Sequence, residues 1–229
     1  MLQRYSYYTG QPLNKSIYTT DSIDTKDVGE IPLGKYIELD LVTLCVDIRA
    51  STIRSAKESL TDSISMLNVF FSTVARVLRD SDAIIDKYPG DGVMAHFAMK
   101  RYGAERAVKA ACIIKRLVEE HINEKLQEQS LKTIKCGVSI DAPGSGTALA
   151  CVGIEEHREI IAVGNSVNVA AKMEKAAKNR VVIGNDVYRR LPGHLSRHCS
   201  PVDIGIVYDS TGEPYPGYEV DWLAVTESR

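Results

Sequence analysis

Apolar and polar residues alternate with two different periods along this chain, and each change of period marks an element. From Ile37 to Val46 a β-prone apolar run reads as a strand. Between Ser51 and Asp80, apolar residues return every three or four positions: Ile53, Ala56, Leu60, Ile64, Leu67, Phe71, Val74 and Leu78. That spacing paints one face of a long amphipathic helix. Residues 82–87 and 92–97 are apolar runs on either side of Tyr88-Pro89-Gly90-Asp91, whose proline and glycine predict a tight turn and hence a hairpin. A second long helix is expected from Arg101 to about Gln129, with Ala104, Ala107, Val108, Ala111, Ile114, Leu117 and Val118 on one face. Strands at 132–141 and 147–153, separated by Ala142-Pro143-Gly144-Ser145-Gly146, read as a second hairpin. A helix from Asn165 to Lys178, a strand Val181-Val182-Ile183, a short helix over 185–191 and strand-like segments near 202–207 and 217–223 complete the pattern. Trp222 falls in the last of these, where a C-terminal strand would pack on the domain.

The order strand, helix, hairpin, helix, hairpin, helix, strand predicts an α+β fold: a ferredoxin-like central sheet, mostly antiparallel, flanked by helices that are expected on one face. Residues 1–36 are rich in Tyr, Ser, Thr and Asp with no sustained period, so they read as an N-terminal extension; 37–229 read as one domain.

Composition narrows the function mainly by exclusion. A formal charge of -2 gives no electrostatic case for nucleic acid or for an anionic membrane surface. No apolar run approaches the roughly 20 residues that cross a bilayer, and Met1 to Tyr8 lacks the apolar segment of a secretory signal. A cytoplasmic protein is expected. The five cysteines, Cys45, Cys112, Cys136, Cys151 and Cys199, are odd in number, scattered and without a Cys-x-x-Cys pair, so neither a disulfide framework nor a zinc site is supported. The five histidines are scattered too, and none stands in a catalytic pattern.

Candidate chemistry gathers in three places. Val46-Asp47-Ile48-Arg49-Ala50-Ser51-Thr52 ends an apolar strand on one carboxylate and passes at once into small and hydroxyl residues at a helix start. A second carboxylate, Asp91, lies in the hairpin turn. Two strand-edge carboxylates suit hard divalent cations, and a helix start accepts phosphate. Taken singly, Asp47 could instead cap the helix and Asp91 could belong to an ordinary turn. The third place is Gly164-Asn165-Ser166-Val167-Asn168-Val169-Ala170-Ala171-Lys172, where Asn168 and Lys172, four apart, share a helix face. An amide and a cation aimed at one point stabilise charge developing on a phosphate.

Together, in this order, Val46-Asp47-Ile48, Lys87-Tyr88-Pro89-Gly90-Asp91 and Val163-Gly164-Asn165-Ser166-Val167-Asn168-Val169-Ala170-Ala171 resemble the signature pieces of the class III nucleotidyl cyclases, over about residues 40 to 195. The resemblance implies that Asp47, Asp91 and the Ile48 carbonyl hold two metal ions per site, Mn²⁺ or Mg²⁺. One would lower the pKa of the ribose 3′-hydroxyl and the other would neutralise the leaving pyrophosphate. It also implies that Arg49, Ala50, Ser51 and Thr52 cradle the triphosphate, that Asn168 orients the ribose, and that Lys172 stands where arginine is usual. Sites in this family are shared between two chains, which implies a homodimer.

At the base-reading positions the chain departs from the family. Lys87 is present, but the position three before Gly164 is Ile161, where a hydrogen-bond acceptor is expected. Isoleucine accepts nothing, and a lost hydrogen bond at a buried polar edge costs about 1–3 kcal/mol. Tyr88 is a candidate for the same pocket. With neither standard base-specifying pair and no sensor segment, the chain is similar to the stand-alone pyrimidine cyclases of bacterial anti-phage defence, whose cyclic UMP or cyclic CMP is read by a separate effector. UTP is expected over CTP. An adenylate cyclase with atypical base-specifying residues and a silent nucleotide-binding homologue are the alternatives; a polymerase-like palm is disfavoured, since no basic channel is evident.

Overall fold

A computed structural model describes residues 31–49, 58–142, 146–208 and 211–227. Its elements are β1 (Tyr36–Leu39), β2 (Leu41–Ile48), α1 (Leu60–Asp80), β3 (Ile84–Lys87), β4 (Gly92–Ala98), α2 (Gly103–Leu117), α3 (Asn123–Glu128), β5 (Cys136–Asp141), β6 (Thr147–Ile154), β7 (His157–Val163), α4 (Asn165–Ala177), β8 (Val181–Gly184), α5 (Asn185–Tyr188), α6 (Gly193–Ser196), β9 (Cys199–Val202), β10 (Gly217–Val220) and α7 (Trp222–Glu227). A π-helical turn, Val118–Ile122, joins α2 to α3.

Seven strands form the central sheet in the order β3-β4-β2-β5-β8-β10-β9. Every neighbouring pair is antiparallel except β5 with β8. This is the expected mostly antiparallel, helix-flanked α+β sheet. Central β2 is apolar on alternate positions because one side faces two helices: Val42, Leu44, Val46 and Ile48 pack with Phe70, Val74 and Leu78 of α1 and with Ala107, Val108 and Ala111 of α2. α1 begins at Leu60, where the Ser59 side chain accepts from the Asp62 amide at 3.1 Å and caps the helix; the expected start at Ser51 lies outside the described residues.

Four expectations are corrected. The apolar run from Ile37 is two strands, not one, because Thr147 stitches a break at Asp40: its hydroxyl accepts from Leu41 N at 2.9 Å and donates to the Leu39 carbonyl. The strands at 136–141 and 147–154 are not a hairpin. β5 is flanked on both edges by β2 and β8, so β6 pairs instead with β1 and with β7 in a separate three-stranded sheet, order β1-β6-β7. The helices do not all lie on one face. α4 packs on the side of the sheet opposite α1 and α2, its Val169, Met173 and Ala177 meeting Val182 and Ile204, and the Ser139 hydroxyl donates to the Ala170 carbonyl at 2.8 Å. Trp222 opens a helix rather than a strand. The Asp221 carboxylate accepts from Ala224 N at 3.1 Å, and the Lys115 ammonium lies 5.9 Å from the centre of the indole ring.

Cys45, Cys112, Cys136 and Cys151 are buried core residues and Cys199 is half-buried; all are free thiols. Burial pushes the Cys45, Cys112 and Cys136 thiols up to about 12, which leaves them inert.

Candidate active site at the edge of β2 and β4

The register sets Asp47, near the end of β2, opposite Gly92, the first residue of β4. Asp91 precedes that glycine, so two carboxylates leave adjacent strands at one end of the sheet. Gly92 keeps room for them: a Cβ there would stand 2.9 Å from the Val46 carbonyl oxygen and 3.4 Å from Asp47 Oδ1. Burial pushes the Asp47 carboxyl up to about 7; the Arg49 guanidinium opposes the rise, while the charges of Glu174 and Asp91 add to it. Asp91 Oδ2 is buried with no hydrogen-bond partner.

An orphaned carboxylate oxygen beside a carboxyl held above its usual range marks a site short of positive charge. Hard oxygen donors of this kind fit Mg²⁺ or Mn²⁺, so Asp47 and Asp91 suit the divalent ions that the resemblance implies. The Ile48 side chain is in the core, which leaves only its carbonyl as a donor. Among the described residues no three His, Cys, Asp or Glu side chains gather into a metal-holding group, so further ligands would be backbone or nucleotide oxygens.

Arg49 follows Asp47 by two positions, and its guanidinium pairs with the Asp47 carboxylate. It also reaches α4, 3.5 Å from Glu174 Oε1 and donating to the Glu174 carbonyl at 3.3 Å. Arg49 therefore bridges the carboxylate edge to α4. Ala50, Ser51 and Thr52, expected to cradle phosphate, lie outside the described residues.

α4 opens at Gly164, which passes so near β6 that a Cβ on it would come 2.5 Å from the Thr147 methyl carbon. Ser166, Val167, Ala170, Met173 and Ala177 turn inward. Asn168 and Lys172 are exposed, on the solvent side of the helix. Lys172 also lines an open cleft with Lys175, Lys178 and Arg180, facing Asp203 to Val207. Within one chain, then, the residue that α4 sends toward Asp47 is Glu174, and Asn168 and Lys172 are not brought to the aspartates.

Lys87 and Tyr88 part company at the end of β3. Tyr88 packs edge-on against Phe71 of α1, ring centres 5.1 Å apart. Lys87 reaches the other way, its ammonium 3.7 Å from Glu159 Oε1 on β7 and 3.6 Å from Asp86 Oδ2. Ile161, two residues beyond Glu159 on β7, is half-buried. The structure thus brings Lys87 to the strand that carries Ile161 and leaves Tyr88 on α1.

Three features escape the sequence reading. Glu174 is one; its position six beyond Asn168 on α4 carries no signature. Glu159 is another, because β7 itself gives too weak a pattern. The third is a buried polar chain: Thr43 Oγ1 lies 3.2 Å from His96 Nδ1, and His96 Nε2 lies 3.4 Å from Asp86 Oδ2. The alternation of β2 with β4, which makes Thr43 and His96 cross-strand partners, is the signal that could have found it.

Comparison with known proteins identifies the family and supports the fold. Residues 38–208 match the family described as the adenylate and guanylate cyclase catalytic domain. The chain is 31% identical over 148 residues to a terminal-differentiation-specific adenylate cyclase of Dictyostelium discoideum, covering 64% of this chain and 7% of that protein. It is 24% identical to an adenylate cyclase of Anabaena cylindrica, over 86% of this chain and 40% of that one. Against a uridylate cyclase of Burkholderia cepacia it is 27% identical, with 70% and 69% covered. The adenylyl cyclase CyaB of P. aeruginosa superposes with a TM-score of 0.72 at 19% identity, over 81% of this chain and 95% of that chain, which supports the fold.

Proposed function

The chain belongs to the adenylate and guanylate cyclase catalytic domain family, and from that premise we propose that it converts a nucleoside triphosphate to the 3′,5′-cyclic monophosphate and pyrophosphate. The observation that carries this reading is the pairing of Asp47 with Asp91, one oxygen of which is buried and orphaned. Asp47 and Asp91, with the Ile48 carbonyl, would hold two Mg²⁺ or Mn²⁺ ions. When bound, these would neutralise triphosphate charge and lower the pKa of the ribose 3′-hydroxyl.

The chain's own residues do the rest. Asn168 orients the ribose by its amide, so that the 3′-oxygen stands in line with the α-phosphorus. A bond forms between those two atoms as the bond to the β-bridging oxygen breaks; pyrophosphate takes the electron pair, and the 3′-hydroxyl proton passes to solvent. Lys172 opposes the charge that gathers on the phosphoryl oxygens. As a point charge it gives less geometric control than an arginine fork.

The exposure of Asn168 and Lys172 in the single chain supports a complete site formed by a homodimer, the aspartates from one protomer and α4 from its partner. A pyrimidine, UTP before CTP, is the favoured substrate: Ile161 removes the acceptor that adenine needs, and a relative of similar extent is named a uridylate cyclase. The 31% identity to an adenylate cyclase favours ATP as the second reading. Among the described residues no helix is long and apolar enough to cross a membrane, which suits a cytoplasmic enzyme whose cyclic product is read by a separate effector in anti-phage signalling.

Purified protein incubated with ATP, GTP, CTP and UTP separately, in Mn²⁺ and in Mg²⁺, with products read by mass, tests this directly. A cyclic pyrimidine nucleotide is expected. Cyclic AMP alone would overturn the substrate assignment, and no cyclic product in any mixture would overturn the activity.

A further inference from the structure

Behind Lys87 lies the buried polar row of Thr43, His96 and Asp86, which the reaction itself does not use. Residues two apart on a strand share a face, so Thr43 lies with Cys45 and Asp47 on the side of β2 away from Val42, Leu44 and Val46, which meet α1 and α2. His96 is its cross-strand partner. At this point β3 departs from a regular strand. Ile85 pairs with Ala95 and Lys87 with Met94, so Asp86 is the extra residue of a β-bulge. A bulge re-aims side chains, often beside an active site. Here it lets Asp86 and Lys87, neighbours that a regular strand would send to opposite faces, turn to one side. There the ammonium stands 3.6 Å from Asp86 Oδ2 and reaches toward β7.

The row does not serve the core. The Asp86 side chain is 3% exposed and that of His96 is fully buried, yet Asp86 Oδ2 and His96 Nε2, 3.4 Å apart, have no hydrogen bond among the described residues. Buried polar atoms left open in this way are rare and need a reason, since an apolar pair of similar volume often serves stability as well or better. The reason stands at the outer end of the row. Lys87 is 34% exposed, and its other carboxylate partner, Glu159, is 62% exposed, so water weakens that contact. Asp86 is the charge that water screens least. It holds the ammonium on the side of β3 that faces the strand carrying Ile161.

We propose that Asp86 and His96 are positioning residues of the nucleotide site: Asp86 fixes where the Lys87 ammonium presents its protons to the base, and His96 fixes Asp86. The proposal rests on the cyclase reading and deepens it. With the Thr43 hydroxyl donating to His96 Nδ1, the imidazole carries its proton on Nε2, toward the Asp86 carboxylate. The carboxylate is then held from two sides, by that N–H and by the ammonium. An ammonium has three donors, and an Asp86 anchor on one side leaves the others turned outward. A long side chain already held in place loses less freedom when the base arrives, which is preorganisation. Asp86 and His96 are too deeply buried to touch the base themselves and act on it through Lys87.

The test is a double-mutant cycle, read by equilibrium binding, KM and kcat for ATP, GTP, CTP and UTP. Asp86→Asn keeps the shape and removes the charge; Lys87→Met keeps the stem and removes the ammonium. Lys87→Met should weaken the best-bound nucleotide and narrow the ranking of the four. Asp86→Asn should do the same to a smaller degree, raising KM about three- to tenfold with kcat and Tm little changed. In the Lys87→Met background, Asp86→Asn should change KM less than about twofold, because the group it acts through is gone. A merely structural role would instead lower Tm and act equally in both backgrounds. Should Asp86→Asn fail to fold, Thr43→Val, which takes only the hydroxyl from His96, replaces it in the same cycle and should show a smaller loss that again vanishes without Lys87. Equal losses with and without Lys87 overturn the proposal, and so do an unchanged KM and ranking. A wild type whose nucleotide binding shows the coupling but which makes no cyclic product would overturn the cyclase reading while supporting this one.

Discussion

The two halves of the candidate site are built in opposite ways. At the β2–β4 edge, side chains are packed, paired and electrostatically tense: Asp47 is held by Arg49, its carboxyl raised to about 7 by burial, and Asp91 keeps an oxygen with no partner. On α4, Asn168 and Lys172 stand in solvent. The first half needs a cation; the second needs a surface to face. On the proposed reading, burial in one half and exposure in the other separate metal holding from transition-state contact, and within one chain the α4 residue that reaches the aspartate side is Glu174, through Arg49. That asymmetry is what a site shared between two identical protomers requires, because a C₂ axis brings the open half of one to the packed half of the other.

The largest expected effect breaks the packed half. Asp47→Ala or Asp91→Ala should lower kcat by on the order of a thousandfold or more, as loss of metal-supplied charge stabilisation implies, with the dimer still folded by circular dichroism and gel filtration. An active Asp47→Ala protein would sink the metal assignment. The next test plays the halves against each other. Equal mixing and refolding of Asp47→Ala with Asn168→Ala chains gives half mixed dimers, each with one intact and one doubly damaged site, so activity should return to about a quarter of wild type. No recovery from demonstrated mixed dimers would argue that each site is built within one chain.

The same contrast decides what the sequence could and could not reveal. Asp47, Asp91 and the glycine turn before α4 are local events, a strand end, a tight turn and a helix start, and short-range pattern reads such events well. The pairing of β6 with β7 is not local in that sense. Ile154 opposes His157 across the two-residue turn Glu155-Glu156, which has none of the Asn-Gly chemistry that usually announces a hairpin. The faint signal was Gly153, at φ 112°, where a Cβ would lie 2.2 Å from the His157 carbonyl oxygen. With β7 unread, Glu159 could not be set beside Lys87. The choice of β8 rather than β6 as the second neighbour of β5, and the placement of α4 on the face opposite α1 and α2, depend on pairing among distant segments that periodicity does not encode.

A smaller effect sharpens the contrast through pH. Two carboxyls are pushed up to about 7 by burial: Asp47 in the packed half-site, and Asp141 at the end of β5, where a hydrogen bond from the Tyr215 hydroxyl at 2.9 Å opposes the rise. Each binds its proton more tightly folded than unfolded, where the value is 3.8. Below about 4 both states are protonated and neither group contributes. Between about 4 and 7 the unfolded chain has lost protons that the folded chain still holds, so stability falls as pH rises, and it levels off above 7. Metal-free protein should therefore show a Tm that declines from pH 5 to pH 8. Asp141→Asn should flatten part of the decline whether or not metal is present. Addition of Mn²⁺ at pH 8 should raise Tm in the wild type and not in Asp47→Ala. A rise of equal size in both would mean that the ion binds elsewhere.

The smallest effect concerns Lys87 and Tyr88, neighbours in sequence that the end of β3 sends to different places. Lys87 goes to β7, and Tyr88 goes to Phe71 on α1. If that division holds in the working dimer, Tyr88→Phe keeps the edge-on ring contact, and both stability and the ranking of the four nucleotides should match wild type. Tyr88→Ala removes an aromatic pair worth about 0.5–1.5 kcal/mol beyond its buried area. It should lower stability by about that much, through the anchoring of the turn on α1, with the ranking still unchanged. A shift in ranking with Tyr88→Phe would show that the hydroxyl meets the base, and would move the tyrosine from the scaffold of the β3–β4 turn into the pocket beside Lys87.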